Sequence, residues 1–167
     1  KQRPPAVASE IVLGEPKDLT RRFPSFAVAL AGFDSLKQQE GFAVFTRNDG
    51  GIRRVVVAGH DGRGVLYGAG RLLRELRMSR DAISLPSDFK AASAPYHPLR
   101  GHQLGYRPKT NSYDGWDLVT WEQYLRDLIV FGANAVELIP PRSDDDADSP
   151  HFPQPPQKMM VEMSRLL

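Results

Sequence analysis

The segment VAGHDGRGVLYGAGRLLREL, residues 57–76, carries the pattern that decides the fold. It starts as an apolar strand, passes through a glycine-rich turn and continues as a helix that Asp61 can cap. Apolar side chains recur at helical spacing on one face of this helix, and arginines fall on the opposite face. The apolar set is Val65, Leu66, Ala69, Leu72, Leu73 and Leu76, and the arginines are Arg63, Arg74 and Arg77. The sequence therefore predicts a strand–turn–helix unit whose leucine-rich face packs on a sheet.

A hairpin precedes this unit. Residues 41–46 and 53–58 are rich in β-branched and aromatic side chains, which is typical of strands. The segment Asn48-Asp49-Gly50-Gly51 lies between them and favours a tight turn. We therefore expect two antiparallel strands, the second leading directly into the glycine-rich turn.

Other elements complete the first region. Residues 10–14 predict a short strand ending at a glycine, and residues 82–85 predict another before the break at Pro86. A helix is expected within residues 24–36, with Pro24 in its first turn. This alternation predicts an α/β domain with helices on one side of the sheet, that is, a two-layer α/β sandwich.

Composition limits the kinds of protein that are possible. Of the 167 residues, 41% are hydrophobic and 25% charged, with a formal net charge of +2, so the overall charge predicts no nucleic-acid partner. The absence of cysteine excludes disulfides, thiol catalysis and zinc sites of the Cys-x-x-Cys type. No apolar run approaches the ~18 residues of a membrane span, so we expect no membrane partner. The first five residues lack the apolar stretch of a signal peptide, and the compartment stays open.

The pattern changes at residues 86–98, which are rich in serine, alanine and proline and are interpreted as a linker. We therefore divide the chain into domains at residues 1–94 and 95–167. The second region begins with a strand-like stretch at residues 99–106, followed by a polar loop.

The second region then repeats a strand–loop–helix order. Thr120 and Gln123 have the spacing of a capping box, and Gly132 is placed to end the helix that they begin. A buried strand is predicted at residues 135–139, and a last helix carries apolar side chains on one face. These side chains are Met159, Met160, Met163, Leu166 and Leu167. Parallel strands joined in this way cannot cover their own edges, so we expect an unfinished sheet whose exposed edge favours self-association.

Residues 57–76 resemble a recurring stretch in the accessory domain of glycoside hydrolases, especially family 67 α-glucuronidases and family 20 β-N-acetylhexosaminidases. Glu40-Gly41-Phe42-Ala43-Val44 is similar to the preceding strand of that domain. Pro98-Leu99-Arg100-Gly101 lies where these families begin the first barrel strand, and residues 131–138 are similar to their second. The resemblance implies a domain like the second domain of hexosaminidases, followed by the first two βα units of an incomplete TIM barrel.

This chain also differs from the two families at and after the first barrel strand. Family 20 continues its first strand into an aspartate where this chain has Leu104-Gly105, and the family 67 signature after that strand is missing. Substrate is therefore not carried over from either family. Glycoside hydrolysis needs two carboxylates facing each other across the sugar. The resemblance places them on later strands, so we expect no catalytic residue in this chain and an inactive fragment of a carbohydrate-processing parent. A role in oligosaccharide degradation would place that parent in the periplasm or outside the cell.

Four residues are candidates for substrate binding. By resemblance to family 20, Arg100 contacts sugar hydroxyls; the alternative is a structural ion pair. His102 follows on the same strand, where either it or Gln103 faces inward by alternation. Glu137 lies near the carboxyl end of the second strand, where barrel enzymes place working groups. Trp116 and Tyr113 lie in the first loop, and either stack on sugar or pack against the following helix.

Competing interpretations remain open. The turn at residues 59–70 could cradle a nucleotide, but Gly62, Gly64 and Gly68 miss the usual spacing because Tyr67 takes the place of the third glycine. A non-catalytic carbohydrate-associated module is a further alternative. The arginines between residues 53 and 80 could bind a polyanion, although few aromatics lie among them. The acidic run 144–146 with Asp148 lacks ligand spacing, so we expect no metal and no cofactor.

Overall fold

The computed structural model describes residues 9–103, 112–137, 148–150 and 152–167. The chain divides into two compact units, Lys1–Pro98 and Leu99–Leu167. The sequence predicts this boundary between residues 94 and 95, four residues earlier.

The first unit is a mixed α/β structure, as its sequence predicts. Its elements in chain order are β1 (Ser9–Gly14), α1 (Pro16–Arg22), a 3-10 helix (Pro24–Phe26), α2 (Ala27–Ala31), a second 3-10 helix (Asp34–Lys37), β2 (Phe42–Asp49), β3 (Ile52–Gly59), α3 (Gly62–Glu75), β4 (Arg77–Met78), β5 (Ile83–Ser84) and β6 (Lys90–Ser93). Four of the strands form one sheet in the order β1-β3-β2-β6, and β4 pairs with β5 separately. Strand β1 runs parallel to β3, whereas β2 runs antiparallel to both of its neighbours.

The hairpin prediction is confirmed. Asp49 pairs with Ile52, so Gly50 and Gly51 form a two-residue loop between β2 and β3. Both glycines have positive φ, at +59° and +81°. Hairpin loops whose two central residues both have positive φ match the twist of the flanking strands, and glycine adopts that conformation without strain.

The expectation of helices on only one side of the sheet is wrong. Alternate residues of a strand point to opposite faces, and both faces of β2 and β3 are buried. Ala43, Phe45, Val56 and Ala58 lie in one core cluster with side chains from α1, α2 and both 3-10 helices. Val44 and Val57 lie in a second cluster with Leu72 of α3. The sheet is therefore covered on both faces, because its two central strands are apolar on both.

Helix α3 forms where the sequence places it, and Asp61 caps it by accepting from the Gly64 N–H at 2.8 Å. The face that contacts the sheet is different from the predicted one. Leu66 and Leu73 are 48% and 51% exposed, whereas Gly64 and Gly68 are buried. A Cβ at Gly68 would lie 2.8 Å from Val57 Cγ1. The glycines let helix and strand approach closely, and this packing decides the orientation of the helix.

Two further elements differ from expectation. Helix α1 was not predicted, although its Leu19 is 2% exposed and belongs to the first core cluster. Strand β6 lies within the segment interpreted as a linker, where it pairs antiparallel with β2. Its sequence, Lys-Ala-Ala-Ser, has little strand propensity, so pairing with β2 determines its conformation.

The second unit contains β7 (Gly101–Gln103), a 3-10 helix (Ser112–Gly115), α4 (Leu118–Val130), β8 (Ala135–Glu137) and α5 (Pro156–Arg165). Strands β7 and β8 are paired in parallel, which confirms the predicted crossover. Helix α4 is capped by Asp117, which accepts from the Thr120 N–H, and not by the predicted capping box beginning at Thr120. Gly132, at φ +91°, follows the end of α4.

The core of the second unit joins its two helices. Trp121 of α4 packs with Met159 and Met163 of α5, and each is 1–2% exposed. Met160 and Leu167, which the sequence places on the same apolar face, are 41% and 73% exposed. The buried stripe of α5 is therefore narrower than predicted.

Candidate functional site

The candidate site lies at the carboxyl ends of β7 and β8. Gln103 and Glu137 are register partners in the parallel pair, and both side chains are exposed. Register partners share a face, as do residues two positions apart, so this face of the two strands consists of Gly101, Gln103, Ala135 and Glu137. Two small residues therefore precede two polar residues that lie side by side. In βα folds the carboxyl ends of the strands are where ligands bind.

His102 lies on the opposite face from this pair. Its ring contacts Tyr124 of α4, with the ring centroids 5.8 Å apart and the planes at 69°. The Tyr124 hydroxyl and His102 Nδ1 also form a hydrogen bond. Burial raises the pKa of the Tyr124 phenol, so its hydroxyl stays protonated at neutral pH. The strand thus turns Gln103, and not His102, towards the face that Glu137 shares.

Trp116 belongs to an aromatic cluster in the second unit. Its ring centroid lies 5.1 Å from that of Trp121 and 5.4 Å from that of Tyr124. Tyr113 joins the same cluster at 6.4 Å from Trp116. The tilted and edge-to-face geometry is typical of internal aromatic packing. The structure therefore places Trp116 against the following helix, the second of the two arrangements considered for it.

Arg100 connects the start of β7 to the segment that follows α4. Its Nε donates to the Gly132 carbonyl at 2.8 Å, and its N–H donates to Asn134 Oδ1 at 2.8 Å. The Asn134 N–H donates in turn to the Arg100 carbonyl at 3.0 Å. The Arg100 guanidinium therefore donates a hydrogen bond to the backbone carbonyl that follows α4. Contact between Arg100 and sugar hydroxyls stays a prediction.

Alternation along the strand allowed either Gln103 or His102 to face the ligand side, and the contact of His102 with α4 shows that it is Gln103. The face on which Glu137 lies was also open in the sequence, and its register with Gln103 decides it. In chemical terms, a carboxylate accepts hydrogen bonds from hydroxyl groups, and an amide both donates and accepts. The pair Gln103 and Glu137 is therefore suited to a neutral polyhydroxylated ligand.

The glycine-rich turn before α3 has a structural role. A Cβ at Gly59 would lie 2.0 Å from the Val65 nitrogen, and one at Gly64 would lie 2.3 Å from the Gly41 carbonyl oxygen. These glycines allow backbone to contact backbone. The N-terminus of α3 is already occupied, because Asp61 accepts from the Gly64 N–H through Oδ1 and from the Glu40 N–H through Oδ2. A carboxylate at this position opposes the binding of a phosphate group.

Electrostatics at this turn fit a structural role. Burial opposes ionisation of Asp61, but the Glu40 and Gly64 amides outweigh it and hold the pKa of Asp61 below its usual value. Arg63 donates to Glu40 Oε1 at 3.0 Å, and this bond raises the pKa of Arg63. The Glu40 side chain is 6% exposed, and its backbone adopts a positive φ of 58°. The polar side chains around the turn, Asp61, Arg63 and Glu40, therefore form hydrogen bonds with groups of the turn itself.

Among the residues that the structure describes, no group of three or more histidine, aspartate or glutamate side chains could hold a metal ion. The acidic run at residues 144–146 lies outside the described residues. Within the same part of the chain, no helix is both long and apolar enough to cross a membrane.

No protein-family profile and no curated protein matches the chain. Among solved structures, the chain is similar to that of CpGH84B, a glycoside hydrolase family 84 enzyme. The TM-score is 0.57 at 17% sequence identity, and the similarity covers 89% of this chain. The chain spans 25% of the length of CpGH84B.

This similarity defines the class of fold. The chain has a glycoside hydrolase-like fold, with mixed α/β architecture. It is similar to an enzyme of family 84, whereas the sequence resemblance pointed to families 67 and 20.

Proposed function

We propose that this chain is the N-terminal portion of a glycoside hydrolase that acts on the O-glycosidic bonds of a polysaccharide or glycan. In this proposal the first unit is the accessory α/β domain and the second contributes the first two βα units of a TIM barrel. The bond cleaved is of the α-glucuronidase or hexosaminidase type. The catalytic carboxylates lie on other strands of the parent, so the chain alone is inactive.

The observation that carries the proposal is the extent of the fold similarity. It covers 89% of this chain, which includes residues of both units, and a quarter of a glycoside hydrolase. A similarity confined to one common α/β domain would be weaker support, because such domains serve many functions. Here the covered 89% is more of the chain than either unit contains by itself, and the second unit has a parallel pair of strands joined through a helix.

The geometry of β7 and β8 supports a role for Glu137 and Gln103 in binding sugar. Both side chains are exposed at adjacent strand ends and lie on the face away from α4. In a closed barrel the face away from the helices points inward. We propose that Glu137 accepts from sugar hydroxyls and that Gln103 bridges neighbouring hydroxyls.

Two assays on two proteins test this function. The chain alone and the full product of its gene are incubated with a panel of 4-nitrophenyl glycosides. We expect no hydrolysis by the chain and hydrolysis of at least one glycoside by the full product. Hydrolysis by the chain alone would refute the assignment of the catalytic acids to other strands. A full product that neither hydrolyses any glycoside nor binds oligosaccharides in calorimetric titration would refute the function itself.

A matched pair of variants tests the site in the full product. Loss of one hydrogen bond to a charged group costs ~1.5–3 kcal/mol. Glu137→Gln is therefore expected to lower kcat/KM by roughly 10- to 150-fold. The control is Glu122→Gln on α4, where the exposed Glu122 forms an ion pair with Arg126. Equal kcat/KM values for the two variants would exclude Glu137 from the site.

The second candidate function is a non-catalytic carbohydrate-binding module. The same panel of glycosides distinguishes it from a glycoside hydrolase. Such a parent binds oligosaccharides without cleaving any glycoside. Glu137→Gln would then weaken the Kd for oligosaccharide in calorimetry, while the rate of hydrolysis would stay at background for every variant.

A further inference from the structure

Strand β1 is at an edge of the sheet in the first unit. The sheet order β1-β3-β2-β6 gives it β3 as a neighbour on one side. Within the described residues no strand pairs with its other side. An exposed edge of this kind presents a row of backbone N–H and C=O groups that favours pairing with another strand.

Two kinds of residue that usually prevent such pairing are absent from this edge. Residues Ser9–Gly14 contain neither proline nor lysine. Their only charged side chain is Glu10, which accepts from Arg54 Nε at 2.8 Å. Arg54 also pairs with Asp49, so its one positive charge is shared between two carboxylates and the edge keeps negative charge at Glu10.

The edge also exposes apolar surface. Ile11 and Leu13 are 56% and 50% exposed, and their register partners in β3 are Val55 and Val57. They lie on one face of the sheet, whereas Val12 between them points to the other face and is buried. Two neighbouring exposed aliphatic side chains beside an edge without proline or lysine form a surface that another strand would cover.

We propose that a second copy of this chain pairs with this edge, β1 against β1 in antiparallel orientation about a two-fold axis at Val12. In that register Ile11 of each copy faces Leu13 of the other, and the four side chains form one apolar cluster. A contact between identical surfaces about a two-fold axis requires a patch that complements itself. Strand β1 meets this requirement because Ile11 and Leu13 lie symmetrically on either side of Val12. Glu10 of each copy faces Gly14 of the other in this register, so the two carboxylates do not lie opposite each other. The result is a continuous eight-stranded sheet.

The proposed contact is small and does not depend on the proposed function. Two six-residue strands bury an area at the low end of specific interfaces, so the dimer is in exchange with monomer. We expect mostly monomer below roughly 5 µM and a substantial dimer fraction at roughly 0.5 mM, as for a weak interface.

Sedimentation equilibrium of the whole chain tests the proposal. The weight-average mass should rise with concentration from 18.6 kDa towards twice that value. Ile11→Lys/Leu13→Lys places two charges on the edge at exposed positions and should keep the chain at 18.6 kDa at every concentration. The matched control is Leu66→Lys/Leu73→Lys on α3, where 48% and 51% exposure make the substitutions comparable. This control should dimerise like the original chain.

Several outcomes would overturn the proposal. The first is an original chain that stays monomeric at 0.5 mM. Another is a dimer that survives Ile11→Lys/Leu13→Lys, which would point to the exposed edge of β7 and β8 instead. Loss of the dimer only in the α3 variant would assign the contact to the helix. Hydrogen exchange gives a second readout, because the β1 amides that point away from β3 should exchange more slowly at high concentration.

Discussion

Replacing Gly64 by alanine should destabilise the first unit, although alanine is the better helix former. In an open helical position the substitution gains up to ~1 kcal/mol. At Gly64 the new Cβ would lie 2.3 Å from the Gly41 carbonyl oxygen and 3.2 Å from Gly59 Cα. Both neighbours are backbone atoms, so no side chain can rotate away. The strand and the helix must separate instead.

The magnitude follows from these two opposing contributions. Overpacking of a tight site costs ~1–3 kcal/mol, and contact with backbone places Gly64 at the upper end of that range. After the gain in helix propensity, we expect a net loss of ~2 kcal/mol in the free energy of unfolding. For a unit of this size, 1 kcal/mol corresponds to roughly 4–8 °C, so Tm should fall by roughly 8–16 °C.

Gly62 provides the matched control two residues away in the same helix. A Cβ there would meet nothing within 4 Å. Gly62→Ala should therefore raise the free energy of unfolding by ~0.5–1 kcal/mol, the ordinary gain for glycine to alanine. The two substitutions are chemically identical, so a difference in sign can come only from the packing.

Thermal and urea unfolding followed by circular dichroism measure both variants. Tryptophan fluorescence reports the second unit separately, because Trp116 and Trp121 are the two tryptophans of the chain. The fluorescence transition of that unit is the internal control. A Gly64→Ala variant as stable as the original chain would refute the close approach of α3 to β2 and β3. Equal destabilisation by Gly62→Ala would show that the glycines are needed for another reason.

Three further substitutions test the polar groups of the first unit. The folded-state pKa of Asp61 is lowered, so the stability it contributes is present above its unfolded value near 3.8 and is lost as pH falls through the folded value. Asp61→Asn should therefore flatten the pH dependence of unfolding below about pH 4, and an unchanged profile would contradict this. Arg54 is 8% exposed and pairs with Glu10 and Asp49. Arg54→Leu should therefore lower the free energy of unfolding in urea by ~2–3 kcal/mol. This is less than the loss of a fully buried ion pair costs, because both carboxylates reach solvent. Arg21→Ala, which breaks an exposed pair, should cost under ~0.5 kcal/mol, and a similar loss in both variants would contradict the distinction.

Local sequence patterns predicted the elements whose causes are themselves local. The two-residue loop at Gly50 and Gly51 follows from backbone conformations that glycine adopts easily. The cap at Asp61 follows because its carboxylate accepts from the Gly64 N–H, only three residues further along the chain. The parallel pairing of β7 with β8 follows because a helix separates the two strands in the chain. The loop and the cap form within a few residues of chain, whereas the pairing of β7 with β8 joins residues 34 positions apart.

The candidate site was predictable only in part. Alternation allowed either His102 or Gln103 to face the same side as Glu137, and the contact of His102 with Tyr124 decides between them. Trp116 had two possible surroundings, and its packing on Trp121 selects one. Strand β6 has weak propensity and forms because β2 offers an unpaired edge.

The sequence by itself determined the hairpin, the cap of α3, the parallel pair of the second unit and the mixed α/β class, but neither helix α1 nor strand β6. The tertiary structure decided which face of α3 meets the sheet, that both faces of the sheet are covered, and which polar residues share a strand face. The physical reason is the same at each position. Periodicity identifies apolar side chains without saying what they contact. In α3, close backbone approach at Gly64 and Gly68 outweighed burial of Leu66 and Leu73.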